Sequence, residues 1–377
     1  MITKKIKLGD LVKISKGKKH ISVEDGEFRY INIENLHNPQ NSLFTNERGV
    51  MVDEKDLIIA WDGANAGKVG VGYKGVIGST LARLKVINND VLPGYLYWFL
   101  ESINELIKSQ RTGATIPHIN GGALKELEVP IPNLATQKYI IDIINAADIL
   151  RQKDQELLRK YDELTQAVFI EMFGDPEKNE KGWDLKLINE VCDVTKLAGY
   201  EYTKHIKYSD EGEIAMIRGL NVKKEKVKLE NLKYIDKKTS EYLIRSKLFF
   251  GDVVMTYIGV NIGDVAIIED DNKFHLAPNV AKITPKNSDK LNSYYLLKYL
   301  SFSRSLFEKY TTNTAKQALN MGNIREVKIM LPDIQLQDKF EKIYLNLREQ
   351  TEKSTQHSSN IYFSSVLQKA FNGELAK

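Results

Sequence analysis

Between residues 134 and 173 the chain has neither proline nor glycine, and isoleucine or leucine returns at every seventh position: Ile143, Leu150, Leu157 and Leu164. A second row, Ile140, Ala147, Asp154, Tyr161 and Val168, runs three residues ahead of the first. Two such rows form the a/d seam of a coiled coil. The pattern predicts one helix roughly 60 Å long at about 1.5 Å per residue. In "FGDP", Gly174 is its predicted C-terminal cap and Pro176 its stop. A comparable stretch covers 334–371, with rows Phe340, Leu347, Ser354, Ile361 and Ile343, Gln350, His357, Ser364. The middle of that seam is polar. Gln350, Ser354 and His357 read either as register-setting contacts near Asp154 or as a looser, wetter stretch. A lone helix with such a stripe needs a partner, and the matching helix of the other half is the nearest one.

Ahead of each helix the period changes. "FRYINI", "DLIIAW" and "KGVIGSTLARLKVI" predict strands, whereas "GYLYWFLESINELIKS" has the three- and four-residue steps of a helix. Pro130 and Pro132 then punctuate the chain. The same plan returns about 200 residues further on. "TGATIPHIN" (112–120) meets "TNTAKQALN" (312–320), "IPNLATQ" (131–137) meets "LPDIQLQ" (331–337), and "LYWFL" (96–100) meets "LLKYL" (296–300). Upstream the offset shrinks slightly. There Asp56, Gly63, Asn65, Gly67 and Val69 meet Asp252, Gly259, Asn261, Gly263 and Val265. "FRYINIENL" (28–36) meets "IAMIRGLNV" (214–222), and "IKLGDLVKI" meets "LKLINEVCDV". The expected fold is mixed α/β with an internal pseudo-twofold repeat. A globular domain at 1–132 precedes a spacer helix at 133–174, and a linker at 175–182 leads to a second domain at 183–332 and a second helix at 333–377. The two helices are expected to pack as an antiparallel coiled coil.

Composition narrows the class without choosing within it. At 42% hydrophobic and 28% charged residues, the 377-residue chain reads as globular, with two to three domains expected. No apolar run approaches the ~20 residues of a membrane span, and "MITKKIKLGDLVKI" lacks the core of a signal peptide. A cytoplasmic location and no membrane partner are expected. A net charge of +4 is compatible with nucleic acid and does not single it out. The single cysteine, Cys192, excludes an internal disulfide and a thiolate metal cluster, and its apolar neighbours suit a buried, inert thiol. The six histidines, His20, His37, His118, His205, His275 and His357, include no pair at metal-ligand spacing. No metal site is expected.

One motif invites a nucleotide. Gly70, Gly72 and Gly75 are spaced G-x-G-x-x-G. A phosphate-binding loop of that kind follows a strand and opens a helix, but here β-like "VIGSTLARLKVI" follows. Gly70 and Gly72 also correspond to Ala266 and Ile268 in the second repeat. The recurring frame is Gly63/Gly259 and Gly67/Gly263 around Asn65/Asn261, a tight loop between strands.

Two similar domains with helical spacers suit an object whose half-sites recur at fixed spacing, and DNA is such an object. The order and duplication of "LGDLVKISKG", "DLIIAWDGANAGKVG", "GATIPHINGGALKELEVPIPNLATQKYIIDIINAAD", "FIEMFGDPEKNEKGWDLKLINEVCDV" and the closing "LQKAFNGEL" resemble the specificity (S) subunits of type I restriction–modification systems. The likeness covers essentially the whole chain. It implies two target-recognition domains, each reading one half of a bipartite double-stranded DNA site. It also implies helices that act as a ruler and dock two methyltransferase (M) subunits, with restriction/motor (R) subunits joining through that core. Such a subunit has no active site. S-adenosylmethionine, ATP and magnesium belong to the partners, and this chain lacks a methyltransferase N/D-P-P-Y/F motif and a G-x-x-x-x-G-K-[ST] loop.

The resemblance places DNA contacts in loops by position, and the chemistry favours cationic and hydrogen-bonding side chains there. In the first domain these are Lys18, Lys19 and His20; Trp61, Asn65 and Lys68; and Thr112, Thr115 and His118. In the second they are Lys204, His205, Arg218, Lys223, Lys224, Tyr257, Asn261, Thr312, Asn313, Thr314, Lys316 and Gln317. Several have a second reading: Trp61 and Tyr257 as strand-end core, and Lys223 to Lys228 as the wet face of a strand. Asn120 and Asn320 suit helix N-caps as well as base reading. Pro132, Pro332, Gln137 and Gln337 suit the domain–helix junction. Two other functions compete: a coiled-coil protein scaffold without DNA, and a self-sufficient nucleotide-dependent DNA-modifying enzyme. Duplex retention by the chain distinguishes the first, and binding of a nucleotide or S-adenosylmethionine to the chain alone distinguishes the second.

Overall fold

The computed structural model describes residues 4–36, 38, 43–113, 115–223, 225–304, 307, 318–356 and 359–375. It has two compact units, Met1–Glu156 with Thr355–Lys377, and Leu157–Ser354. Lys224, Thr312, Asn313, Thr314, Lys316 and Gln317, with His37 and His357, lie outside the described residues.

In the first unit every residue of the strand Leu57–Ala60 is buried, as a strand covered on both faces requires. It lies inside an antiparallel sheet ordered Val12–Lys16, Leu81–Val86, Leu57–Ala60, Val69–Gly70. A second sheet is ordered Leu43–Thr45, Phe28–Ile31, Gly75–Ile77, Met51–Val52, and its central pair is parallel. The helix Pro93–Ser102 starts on proline, which lacks the N–H that position leaves unpaired, and buries Tyr95, Leu96, Phe99 and Leu100. Lys4–Lys7 pairs with Glu128–Ile131, so the start of the unit is tied to the strand before the long helix.

The second unit repeats this plan. Its antiparallel sheet runs Cys192–Lys196, Val280–Pro285, Val253–Thr256, Val265–Ile267. Its other sheet runs Lys233–Ile235, Ile214–Ile217, Phe274–Leu276, Lys247–Leu248, again with a parallel central pair. Leu185–Leu187 pairs with Lys328–Met330. The unit also holds a small hairpin, Val222–Lys223 with Lys226–Val227. Cys192 is buried, and burial pushes its thiol pKa up to about 12, as an inert structural thiol requires.

The first long helix is one 40-residue element, Leu134–Phe173. Gly174 follows with φ +83°, and its N–H donates to Ile170 O at 2.7 Å. The second stretch is helical over Ile334–Gln356 and Ser359–Phe371. The faces turned inward keep Ile140, Ala147 and Phe340 of the expected rows and depart from the others. In the first unit Ile140, Ile144 and Ala147 are buried, while Leu150 is 48% exposed. In the second unit Thr165, Phe169 and Phe173 are buried, while Leu157 and Leu164 are 39% and 47% exposed. Ile361, also placed in the seam, is exposed, and Val366 and Ala370 are buried instead. An α-helix drifts by about 20° per heptad against a strict seven-residue repeat, and the adjoining domain core selects the face. Ser354, from the polar middle, bonds within its own helix to Gln350 O at 3.0 Å.

Each unit takes in a helix end from the other repeat. In the first, Ser359–Phe371 runs antiparallel to the start of the long helix. Gln155 donates to Asn360 Oδ1 at 3.4 Å, and the Arg151 guanidinium lies 4.5 Å above the Phe363 ring. Phe371 packs on Tyr95 and Phe99, with ring centroids 5.3 and 5.5 Å apart. In the second unit Phe169 and Phe173 pack on Phe340 at 5.4 and 5.6 Å.

Candidate nucleic-acid interface

The central buried strand of each unit ends in the glycine loop. In the first unit Trp61 N donates to Thr80 O, Gly67 N to Ala60 O, Ala60 N to Lys68 O and Lys68 N to Asn65 O. Ile119 N donates to Trp61 O at 2.9 Å, which sets the 112–120 segment beside the loop. The second unit has the same frame. Tyr257 N donates to Asn279 O, Gly263 N to Thr256 O, Thr256 N to Asp264 O, Asp264 N to Asn261 O and Leu319 N to Tyr257 O. Gly67 and Gly263 carry φ of +100° and +81°, which a side chain would disfavour.

On this shared frame the side chains differ. The isolated bridge between the two loops pairs Asp62 with His118 in the first unit and Ile258 with Ala318 in the second. His118 Nδ1 lies 2.6 Å from Asp62 Oδ1, and Lys16 Nζ 2.7 Å from Asp62 Oδ2. Burial raises the Asp62 pKa, but the hydrogen bonds from Lys16 and His118 outweigh it, so the carboxyl stays below its usual range. Arg111 joins the rim, donating to Ala64 O at 3.3 Å. Asn65, Thr112, Thr115 and His118 are exposed around this cluster. Thr112 and His118 also close their own loop, Thr112 N to His118 O at 2.9 Å and His118 N to Thr112 O at 2.7 Å. Lys68 is half-buried, and burial holds its amine below the usual range against Glu101. Lys16, Asp62 and Arg111 were not among the sequence candidates. The signal for Asp62 lay in the repeat, where a charged residue faces an isoleucine.

Other placements divide the candidates. Lys18 and Lys19 are exposed. His20 is not presented to solvent; it is buried, 3.0 Å from Glu47 through Nδ1 and edge-on to Tyr30. Gly49 packs so closely on its ring that a Cβ there would stand 2.5 Å from His20 Nε2. Trp61 is half-buried against the first core. Tyr257 is buried in the second core, its hydroxyl pKa pushed up by burial, so it takes the strand-end reading. Asn261 is half-buried, its amide 3.5 Å from Gly219 O. Lys204 is exposed on the helix Gly199–His205, and the His205 ring packs at a tilt against Tyr242, centroids 4.9 Å apart. Arg218 donates to Asn231 O. Lys223 is exposed on the hairpin at 222–227.

The structural candidates take structural places. Asn120 and Asn320 cap helices, accepting from Ala123 N and Gly322 N. Gln137 is buried and accepts from Leu92 N at 2.8 Å while donating to Asp90 O and Pro132 O at 2.7 and 2.8 Å. Gln337 repeats the set with Asn292 N at 2.9 Å, Lys290 O at 3.1 Å and Pro332 O at 2.7 Å. The G-x-G-x-x-G stretch holds strands, not a helix N-terminus. Gly75 opens the strand Gly75–Ile77 at φ +149°, where a Cβ would meet Arg29 O at 2.2 Å. Among the described residues no group of three His, Cys, Asp or Glu is placed to hold a metal, and no helix is long and apolar enough to cross a membrane.

This duplicated frame has relatives. A family model described as type I restriction modification DNA specificity domain matches residues 3–159 and 180–360. The chain is 26% identical over 394 residues to the type I restriction enzyme MjaVIII specificity subunit of Methanocaldococcus jannaschii, covering 94% of this chain and 91% of that one. It is 21% identical over 363 residues to the EcoBI specificity subunit of Escherichia coli, covering 87% and 75%. Its fold is similar to the crystal structure of a type I restriction–modification S subunit from M. genitalium, with a TM-score of 0.59, 19% identity and coverage of 98% and 96%. A chain from a structure of the assembly of a type I system gives a TM-score of 0.53 at 15% identity, covering 98% of each.

Proposed function

The chain belongs to the family of type I restriction–modification DNA specificity domains, and from that premise we propose that it is a non-catalytic DNA-recognition subunit whose units each read one half of a bipartite duplex site. The carrying observation is the loop frame common to both units, with Asp62 and His118 at the bridge in one and Ile258 and Ala318 in the other. A constant frame with different chemistry suits two different half-site sequences, because phosphate contacts position a protein while base-edge contacts specify the sequence. The loop residues exposed on that frame, Asn65, Thr112, Thr115 and His118 in the first unit, are the proposed readers there. In the second unit Lys204 and Lys223 are the proposed cationic contacts, and Lys224, Thr312, Asn313, Thr314, Lys316 and Gln317 are further proposed contacts.

The long helices set the gap between half-sites and dock two methyltransferase subunits, with restriction/motor subunits joining through them. The 40-residue length of the first helix and its exposed leucines support this reading. S-adenosylmethionine, ATP and magnesium act on those partners and not on this chain, and the complex works in the cytoplasm. Methylome sequencing of a host with and without the gene tests the function: a bipartite adenine motif should vanish on deletion. Replacing residues 1–132 by another recognition domain should change one half-site only, and a change in both would reject the modular reading. Lys223→Gln should weaken binding to all duplexes and flatten the salt dependence by about one unit.

A further inference from the structure

A hairpin of the second unit pairs Val222 with Val227 and Lys223 with Lys226, and Glu225 lies in its turn. Two-residue hairpin turns call for positive φ, usually from glycine or asparagine. Glu225 supplies it here, at φ +65°. The other described non-glycine residues with positive φ, Asn179, Asn231, Asn272 and Asn279, are all asparagines. A glutamate persists in that region only where its surroundings hold it.

Those surroundings hold Glu225 through both backbone and side chain. Its N–H donates to Val265 O at 3.1 Å, and its carbonyl accepts from Ile267 N at 3.4 Å. Its carboxylate accepts from Lys298 Nζ at 2.8 Å through one oxygen and from the Tyr344 hydroxyl at 2.9 Å through the other. Lys298 and Tyr344 are 7% and 4% exposed, so the ammonium depends on this carboxylate for its counter-charge. Beside it, Lys226 Nζ lies 2.6 Å from Glu352 on the same helix as Tyr344. At the hairpin base Asn221 donates to Lys228 O and Glu230 O at 2.9 and 3.0 Å. The first repeat has Trp98 and Ile144 where the second has Lys298 and Tyr344, and the Trp98 indole goes instead to Asn145 at 2.9 Å.

We infer that Glu225 is a positioning residue for recognition of the second half-site, anchoring the hairpin that presents Lys223 to DNA. The inference rests on the DNA-reading function proposed above. A hairpin fixed before binding loses less freedom on binding, and that is how an anchor remote from the bases strengthens a contact.

Glu225→Gly separates the two tasks of the residue, because glycine takes φ +65° freely while losing the carboxylate. The full chain would be titrated with a duplex carrying its mapped site and with duplexes in which either half is scrambled. Amide exchange across 222–228 would be read without DNA. The expected result is faster exchange in the hairpin, a lowered thermal midpoint because Lys298 loses its counter-charge, and, well below that midpoint, a loss of affinity on the order of tenfold for the intact site. The scrambled duplexes should show a comparable loss and the same flattening of the salt dependence as Lys223→Gln, and in a Lys223→Gln background Glu225→Gly should lose nothing further. Tyr344→Phe, which removes one hydrogen bond, should repeat the pattern with a smaller loss and carries the test if Glu225→Gly does not fold. Unaltered affinity, or an undiminished loss in the Lys223→Gln background, overturns the positioning role and leaves the DNA-reading function standing. An unaltered chain that does not prefer its own site overturns both.

Discussion

His118 and Asp62 join the two loops of the first unit by a 2.6 Å contact between Nδ1 and Oδ1, and Lys16 holds the other carboxylate oxygen. The folded carboxyl titrates below its usual value. Between the unfolded value, about 3.9, and the lower folded one, the unfolded chain binds the proton and the folded chain does not. The stabilisation is therefore present above about pH 4 and lost as pH falls through the folded value. Asp62→Asn should destabilise the first unit near neutral pH by about 1 kcal/mol, and the difference from the unaltered chain should disappear in acid. Denaturant titrations at both pH values check this, and a difference that persists in acid would assign the effect to shape and not to charge.

Gln137 and Gln337 each satisfy one N–H and two carbonyls at the junction between a domain and its helix. Truncation leaves those buried groups without partners. Gln137→Ala and Gln337→Ala should each cost about 2–4 kcal/mol, confined to the unit that carries the change. Hydrogen exchange resolved by segment reads the confinement.

His275 is fully buried, with Nδ1 3.0 Å from Leu276 O and Nε2 3.3 Å from Leu243 O. Burial lowers its pKa, and the two carbonyls only partly oppose that. The unfolded histidine takes a proton near pH 6.5, while the folded one takes it at lower pH. Stability of the second unit should fall as pH drops through about 6.5 and level off below the folded value. His275→Gln should flatten that part of the pH profile. Unfolding midpoints between about pH 8 and about pH 5 measure it.

Leu164, in the second unit, and Leu150, in the first, are exposed at 47% and 48%. Leu164→Gln and Leu150→Gln should therefore change the stability of their units by less than about 0.5 kcal/mol. Both should reduce recovery of the methyltransferase subunits in co-purification, given the proposed docking role. Full recovery would remove these leucines from the docking surface.

The duplicated plan is legible in the sequence because the recurring residues perform recurring local tasks. Asp56 accepts from Asp53 N and Asp252 from Phe249 N, each closing the turn before its central strand. Gly67 and Gly263, and Gln137 and Gln337, recur for similarly local reasons. The inward face of the long helix is not legible. Ile143 and Ile144 are equally apolar neighbours about 100° apart around the axis, and only the core against which the helix lies decides that Ile144 is fully buried and Ile143 partly so. The anchor of Glu225 is hidden too, since its partners stand 73 and 119 residues away. Likewise, nothing local in "SKGKKHIS" separates the buried His20 from the exposed lysines before it.

The exchange of helix ends carries a consequence for how the protein is made. Tyr95, Trp98 and Phe99 of the first unit meet Phe363 and Phe371, which the ribosome adds only after the whole of the second unit. Phe169 and Phe173, by contrast, are already synthesised when the second unit begins to form its core. The unit encoded first is thus the later to close, and until it does the nascent chain carries an open aromatic face.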